Sequence, residues 1–279
     1  MDLFDAATYF DRNPVSDAYT GAVLFEGQLN LYDDSKRDSE AAERRVLSLS
    51  PTCVIPSRRT VQVAGQVYLV GKGNADVFLG SVIRVGYVVH EAKYLATVRT
   101  LEQLCLNQPG YQAWTNQAWL KNAAFTEQSS ELSPMFHLFL AEGEPVADNY
   151  TVQFGNELHL VRTSNLGASG VQILTTERLD APNVETATFG ESVYDPVSGN
   201  FSGASHSTRV IRLRWQALFE YGNKSAPTFG PDDLQVVVAK ASYTPVPGNL
   251  ITLSDGPVKV QSVRSLGAVW ICRVTRVDG

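Results

Sequence analysis

With 279 residues the chain has room for two domains, or three small ones, each with its own core. Hydrophobic residues at 44% against 19% charged, with 13 Pro and 21 Gly spread along the chain, exclude disordered and collagen-like classes. A net charge of −6 argues against a protein whose main task is gripping nucleic-acid phosphates; an acidic surface suits a conduit past which DNA moves.

In chain order, the first forty residues carry Asp2, Asp5, Asp11, Asp33 and Asp34 with few sustained apolar runs, which predicts an extended arm ordered by a neighbour. Met1-Asp-Leu-Phe-Asp5 lacks a basic stretch followed by an apolar one, and no segment reaches the ~18 apolar residues of a membrane span. The expectation is a protein neither exported by a standard signal nor embedded in a membrane. Ser39 to Arg45 combines a Ser cap with good helix formers and predicts a short helix. Val61-Gln-Val63, Val67 to Val70 and Val82 to Val89 read as strands, being rich in β-branched and aromatic residues and divided by Gly, Asn and Asp. Tyr94 to Leu106 repeats Leu95, Val98, Leu101 and Leu104 or Cys105 at helical spacing and predicts a second helix with a core-facing stripe.

Strand signals resume at His137 to Leu140, Leu158 to Val161 and Val236-Val-Val238. Arg209 to Ala217 alternates, placing Ile211, Leu213 and Trp215 on a core face and Arg212, Arg214 and Gln216 on a wet one. The division that follows is an arm over 1–46, a first β module with a linker helix over 47–110, a second module over 111–182 and a third over 183–279.

Self-similarity fixes the architecture further. Sliding the chain by 100 residues superposes Ala141, Pro145, Val146, Asn149, Leu166, Gly167 and Ala168 on Ala241, Pro245, Val246, Asn249, Leu266, Gly267 and Ala268, seven identities over 28 ungapped positions. At a shift of 91, Thr60 to Val70 lies over Thr151 to Val161 with five of eleven identical. The shared pattern is strand, polar turn, strand, loop, strand, a meander of antiparallel strands. The fold class expected is mainly β: tandem small antiparallel β-barrel or sandwich modules with one or two short helices and an extended N-terminal arm.

Chemistry-bearing motifs are sparse. Gly71-Lys-Gly73-Asn-Ala-Asp76 lacks the P-loop spacing and reads as a hairpin turn. Gly167-Ala-Ser-Gly170 and Gly199-Asn-Phe-Ser-Gly203 miss the spacing of a nucleophile elbow. His90, His137, His159 and His206 are isolated, and His159 falls opposite Tyr68 in the repeat, which favours packing over metal ligation. Asp33-Asp34 and Asp232-Asp233 read as exposed turn carboxylates. Cys53, Cys105 and Cys272 are an odd, widely spaced set in apolar surroundings and read as buried free thiols. The sequons at Asn149, Asn200 and Asn223 lack a secretory route. No catalytic residue, cofactor site or metal site is assigned, and no enzyme is expected. The basic concentrations Arg44-Arg45, Arg58-Arg59 and Arg212/Arg214 are either solvated faces or contacts with an acidic neighbour. Trp114, Trp119, Trp215 and Trp270 with eleven Tyr are anchors for a core or for an interface.

Arg44-Arg-Val-Leu-Ser-Leu-Ser-Pro51, Ile55-Pro-Ser-Arg-Arg59, Val63 to Asn74 and Gly80-Ser-Val-Ile-Arg-Val85 together resemble phage head-closure and head–tail connector (neck) proteins. The likeness continues through Pro134 to Leu140, 151–161 and Tyr194-Asp-Pro-Val-Ser-Gly199, while the tandem modules and the arm depart from compact single-barrel connectors. The resemblance implies a virion protein assembled in the host cytoplasm, forming a homo-oligomeric ring beneath the portal. Its partners would be a portal or adaptor protein and a tail tube or nozzle protein, with packaged DNA passing close by without sequence-specific binding. Edge strands, the arm and the loops around Gly73 to Phe78 and Leu166 to Gly170 would then make contacts or line the channel. The interface candidates are accordingly Arg44, Arg45, Arg58, Arg59, Asn74, Asp76, Phe78, Arg212 and Arg214. The competing readings are a tail or capsid decoration protein, and a carbohydrate-binding or hydrolytic β module.

Overall fold

A computed structural model describes residues 12–31, 45–119, 135–179, 184–190, 193–194, 201–214 and 234–277. The fold is mainly β, built from tandem closed antiparallel barrels. The first barrel holds β1 (Arg12–Asp17), β2 (Val23–Leu31), β3 (Arg45–Leu49), β4 (Thr60–Val63), β5 (Gln66–Phe78) and β6 (Ser81–Ala92). The second holds β7 (Tyr94–Thr100), β8 (Tyr111–Trp119), β9 (Met135–Leu140), β10 (Tyr150–Phe154), β11 (Glu157–Leu166) and β12 (Gln172–Leu179), with α1 (Leu101–Cys105) between its first two strands. The third holds β13 (Val184–Gly190), β16 (Ser205–Arg214), β17 (Leu234–Ala239), β18 (Leu250–Leu253), β19 (Gly256–Leu266) and β20 (Val269–Arg276), with a small ribbon, β14 (Val193–Tyr194) and β15 (Phe201–Ser202), set between its first two strands.

Numbered within its own barrel, each set runs first, second, third, sixth, fifth, fourth, and the fourth strand closes on the first. Closure removes the open edges that a flat sheet of this size would leave. The sequence repeats map onto this order. Thr60 to Val70 and Thr151 to Val161 are the fourth and fifth strands of barrels one and two, and they share one register, with Val61 opposite Tyr68 and Val152 opposite His159. In the third barrel the equivalent pair has Ile251 opposite Val258 and turns at Ser254-Asp255, and a bulge between Val260 and Ser262 absorbs the slip.

The chain falls into two compact units, one of residues 1–97, 112–148 and 161–176, the other of 98–111, 149–160 and 177–279, so that strands of the second barrel contribute to both. In the first unit the barrel interior is Val15, Leu47, Leu49, Val61, Val63, Tyr68, Val70 and Val89. A second cluster joins Val67, Leu69 and Ala92 to Ala141 and Val171. In the second unit Val236, Val238, Phe189 and Ile251 fill the third barrel, while Val237 and Ala239 point the other way onto Leu101, Leu104 and Cys105 of α1. Burial on both faces explains the unbroken apolar run in β17.

Several expectations need correction. Residues 12–31 are not an arm: they form β1 and β2, because Val15, at 0% exposure, faces the barrel and pairs with Val63 of β4. Residues 1–11 and 32–44, including Arg44 and all but the last residue of the predicted helix at Ser39 to Arg45, lie outside the described residues; Arg45 begins β3. Tyr94 to Thr100 is strand, with Ala96 and Val98 buried in alternation and Leu95 exposed; only Leu101–Cys105 is helical. A capping box sets that start, with the Thr100 hydroxyl accepting from Gln103 N–H and the Gln103 side chain accepting from Thr100 N–H. Strand β7 and α1 therefore belong to the second barrel, and the first runs from Arg12 to Ala92. Gly71 to Asp76 is not a turn; the chain reverses at Leu79-Gly80. Trp215, Asp33-Asp34 and Asp232-Asp233 lie outside the described residues.

Position 159 supplies a test of the repeat. The His159 ring is fully buried, stacked on Phe154 at 5.1 Å between centroids, and donates to Glu157 from 3.2 Å, with Arg178 on the far side of that carboxylate. Burial holds its pKa below the ordinary 6.5, against the pull of Glu157, so the ring is neutral at pH 7. Because the unfolded chain then takes up the proton first, stability is complete above pH 6.5 and is lost as pH falls below it. Thermal melts from pH 7.5 to 5 should show that loss shrinking in a His159→Phe variant, which keeps an aromatic where the first barrel has Tyr68; an unchanged slope would refute the assignment.

Candidate interaction surface

The candidate basic residues separate into three places. Arg45 reaches the Tyr68 hydroxyl at 3.3 Å. Arg58 and Arg59 sit on the connection between β3 and β4, at a joint within the first unit. Glu144 is almost wholly buried there, and Arg58 meets both of its oxygens, from Nε at 3.2 Å and from Nη2 at 3.1 and 3.3 Å. The same guanidinium lies over the Tyr19 ring, 3.6 Å from its centroid, and donates to the Gln112 carbonyl. The Tyr19 hydroxyl donates to Glu144 at 3.3 Å and accepts from Trp114 N–H, whose indole donates in turn to Ala18 O. Burial raises the Tyr19 pKa and keeps that hydroxyl a donor. Arg59 donates to the Val70 and Gly71 carbonyls and pairs with Glu142 at 3.5 Å. This cluster holds the chain to itself, so Arg58 and Arg59 serve a contact with an acidic neighbour that is internal.

Arg212 is likewise occupied: it joins Glu185 at 3.1 Å and Asp255 at 2.7 Å, and Arg276 adds a second bond to Asp255. The face predicted to be wet is therefore an ion-paired cluster beside buried Val210. Arg214 ends β16.

Asn74, Asp76 and Phe78 come together on one feature, the outer part of the β5–β6 hairpin. Its root is anchored: Lys72 N–H donates to Ser169 O at 2.8 Å, at a break in register between Val70 and Gly73. Gly71 and Gly170 permit this approach. A Cβ on Gly71 would overlap the Ser169 carbonyl oxygen, and one on Gly170, whose φ is +80°, would lie 2.7 Å from Lys72 N. Beyond the root, β3 accompanies β6 only as far as the Leu49–Val85 pair. Residues 76–84 continue as a two-stranded ribbon, Asp76 opposite Arg84, Val77 opposite Val82 and Phe78 opposite Ser81. Asp76 and Arg84 form an ion pair across it.

The ribbon's tip is apolar and exposed: Val77 61%, Phe78 54%, Leu79 90% and Val82 45%. A two-residue turn, Leu79-Gly80, with φ of +49° and +79°, closes it. Both positive angles define the hairpin turn that Asn-Gly or Asp-Gly ordinarily forms. The sequence points to Gly73 to Phe78, with Asn74, Asp76 and Phe78 as named candidates, and stops short of Leu79 and Val82. The available signal was a departure from the repeat: at a shift of 91, Val77-Phe-Leu79 stands over Ala168-Ser-Gly170, so the copies diverge where the first becomes apolar.

Among the described residues, no group of three His, Cys, Asp or Glu is arranged to hold a metal ion, and no helix is long and apolar enough to cross a membrane. Cys105 and Cys272 are free and buried, and burial pushes both thiols up to about 12, far from reactive thiolates; Cys53 is half-buried. Comparison with protein-family models, curated proteins and solved structures finds no match for the chain.

Proposed function

We propose that the chain is a non-catalytic structural subunit of a tailed-phage virion, stationed at the head–tail joint. Copies would form a ring beneath the portal, retain packaged DNA and present a platform to the tail. The phage assignment rests on the sequence resemblance over 44–85, 134–161 and 194–199. The observation that carries the assembly role is the apolar ribbon at 76–84: three barrels direct their apolar strand faces inward, and this element directs its own outward. Four exposed apolar side chains within six residues mark a contact site rather than ordinary surface scatter. The acidic balance of −6 suits a wall along which DNA slides rather than sticks.

Immunogold electron microscopy of particles, with an antibody raised against residues 186–279, tests the station. Label confined to the head–tail joint is the expected result. Label along the tail or over the shell would replace this reading with a tail or decoration role, and hydrolysis of any member of a glycan panel would overturn the non-catalytic assignment.

A further inference from the structure

One joint occurs twice in this chain. On the fifth strand of the first barrel, Val67 and Leu69 point away from the barrel interior and share a core with Ala141 and Val171, beside Phe139 and Ile173. On the fifth strand of the second barrel, Leu160, with Leu158 beside it, shares a core with Val237, Ala239, Val269 and Ile271. Each receiving set lies on the third and sixth strands of the following barrel, or at their ends, and a shift of 98 residues carries Phe139, Ala141, Val171 and Ile173 in order onto Val237, Ala239, Val269 and Ile271. The first and second barrels thus present the same strand to the same positions of their successors.

The third barrel keeps those presenting positions and changes the residues. Pairing within the hairpins fixes the equivalence: Thr60 faces Leu69, Thr151 faces Leu160 and Leu250 faces Lys259. Leu69 and Leu160 are wholly buried. Lys259 is exposed, and so is Pro257, which stands where the other barrels have Val67 and Leu158. Beside Lys259 on the next strand is Thr275, which bonds to Gln261 at 2.7 Å. An ammonium group carried into an apolar joint without a partner is strongly unfavourable. The first barrel, in turn, retains a receiving set on its outer face, since Leu47 and Val89 fill its interior. There Val46 pairs with Val88 and Ser48 with Gly86, as Val237 pairs with Ile271 and Ala239 with Val269. Val46 and Val88 are half-buried.

We propose that Lys259 is a stop: it withholds from the third barrel the joint that the first two use, and so keeps the third barrel of one copy off the first barrel of another. A run of repeats needs a polar outer face on its terminal unit, because the contact that joins neighbours would otherwise join molecules. The proposal is independent of the ring-forming reading and leaves the ribbon at 76–84 untouched.

Sedimentation velocity of the full chain over a concentration series tests it, comparing wild type with Lys259→Leu and with Lys259→Leu carrying Val88→Lys or Val46→Lys. A contact between unlike faces can repeat without closing, so Lys259→Leu should add growth that continues with concentration, beginning at concentrations about tenfold or more below any such growth of wild type. Either lysine on the receiving face should abolish that growth. Lys259→Leu should melt no lower than wild type, which separates the contact from folding. Lys259→Leu sedimenting as wild type does would overturn the proposal. Growth that both receiving-face lysines leave intact would overturn it as well, since the leucine would then be a general adhesive patch.

Discussion

Replacing Arg58 with Ala is expected to lower stability by about 3 kcal/mol, at the lower end of the range for breaking a buried ion pair. The reason lies in which partner is stranded. The Glu144 side chain is 4% exposed and that of Arg58 is 40% exposed. Without Arg58, a buried carboxylate keeps only the Tyr19 hydroxyl at 3.3 Å; without Glu144, Arg58 still reaches water, the Tyr19 ring and the Gln112 carbonyl. Glu144→Ala should therefore cost about half as much, and the double variant clearly less than the sum of the two, since charges in direct contact are not additive. Urea unfolding followed by tryptophan fluorescence measures all three, with Trp114 reporting from the same joint. Equal single-variant costs that add would show the pair to be an ordinary surface contact.

Gly71→Ala should lower stability by about 2–3 kcal/mol, the cost of forcing atoms into a filled space together with a lost hydrogen bond. The added methyl meets a backbone carbonyl, that of Ser169, which cannot rotate away as a side chain would. Separation there also breaks the 2.8 Å bond from Lys72 N–H to Ser169 O. Gly190→Ala is the matched comparison, because a Cβ there meets nothing closer than the Leu250 carbonyl oxygen at 3.8 Å. It should melt within a degree or two of wild type, corresponding to about 0.5 kcal/mol or less. A similar loss in both would mean that glycine's backbone freedom, and not the joint, sets the cost.

The barrels were legible because strand signals and repeats are local. A Thr-Val-Gln strand, a polar turn and a second strand ending Leu-Val recur at 60–70 and 151–161, and each copy folds into the same hairpin in the same register. Barrel closure was less legible, since it depends on pairing β1 with β4 across the connections between them. That is why Arg12–Asp17, with its Pro and two Asp or Asn residues, read as an arm. The stripe Leu95, Val98, Leu101, Leu104 has helical spacing but crosses from strand to helix at the Thr100 cap, and in the strand it is Ala96 and Val98, two apart, that are buried. The acidic partners of Arg58 and Arg212 could not be foreseen for a related reason: Glu144 lies 86 residues from Arg58 and Asp255 lies 43 from Arg212. The apolar tip was legible only in part, at Gly73 to Phe78, because Val82 is a good strand former and sequence alone does not tell that β3 stops short of it.

The order of strands also constrains how the chain is made. In every barrel the sixth strand lies between the third and the fifth, so no barrel can shut until all its strands have left the ribosome, and pairing between distant segments is slow. The apolar face of α1 waits longer still. Leu101, Leu104 and Cys105 share one core with Leu160 and Leu179 of the second barrel and with Ile211, Leu213, Val237 and Ile271 of the last. During synthesis that face is covered only on the side of Leu160 and Leu179 while roughly the final third of the protein is added, and a chain ended at residue 183 should bind an apolar dye more strongly than the full chain does. The last barrel thus acts toward its predecessor as a chaperone carried in the same polypeptide.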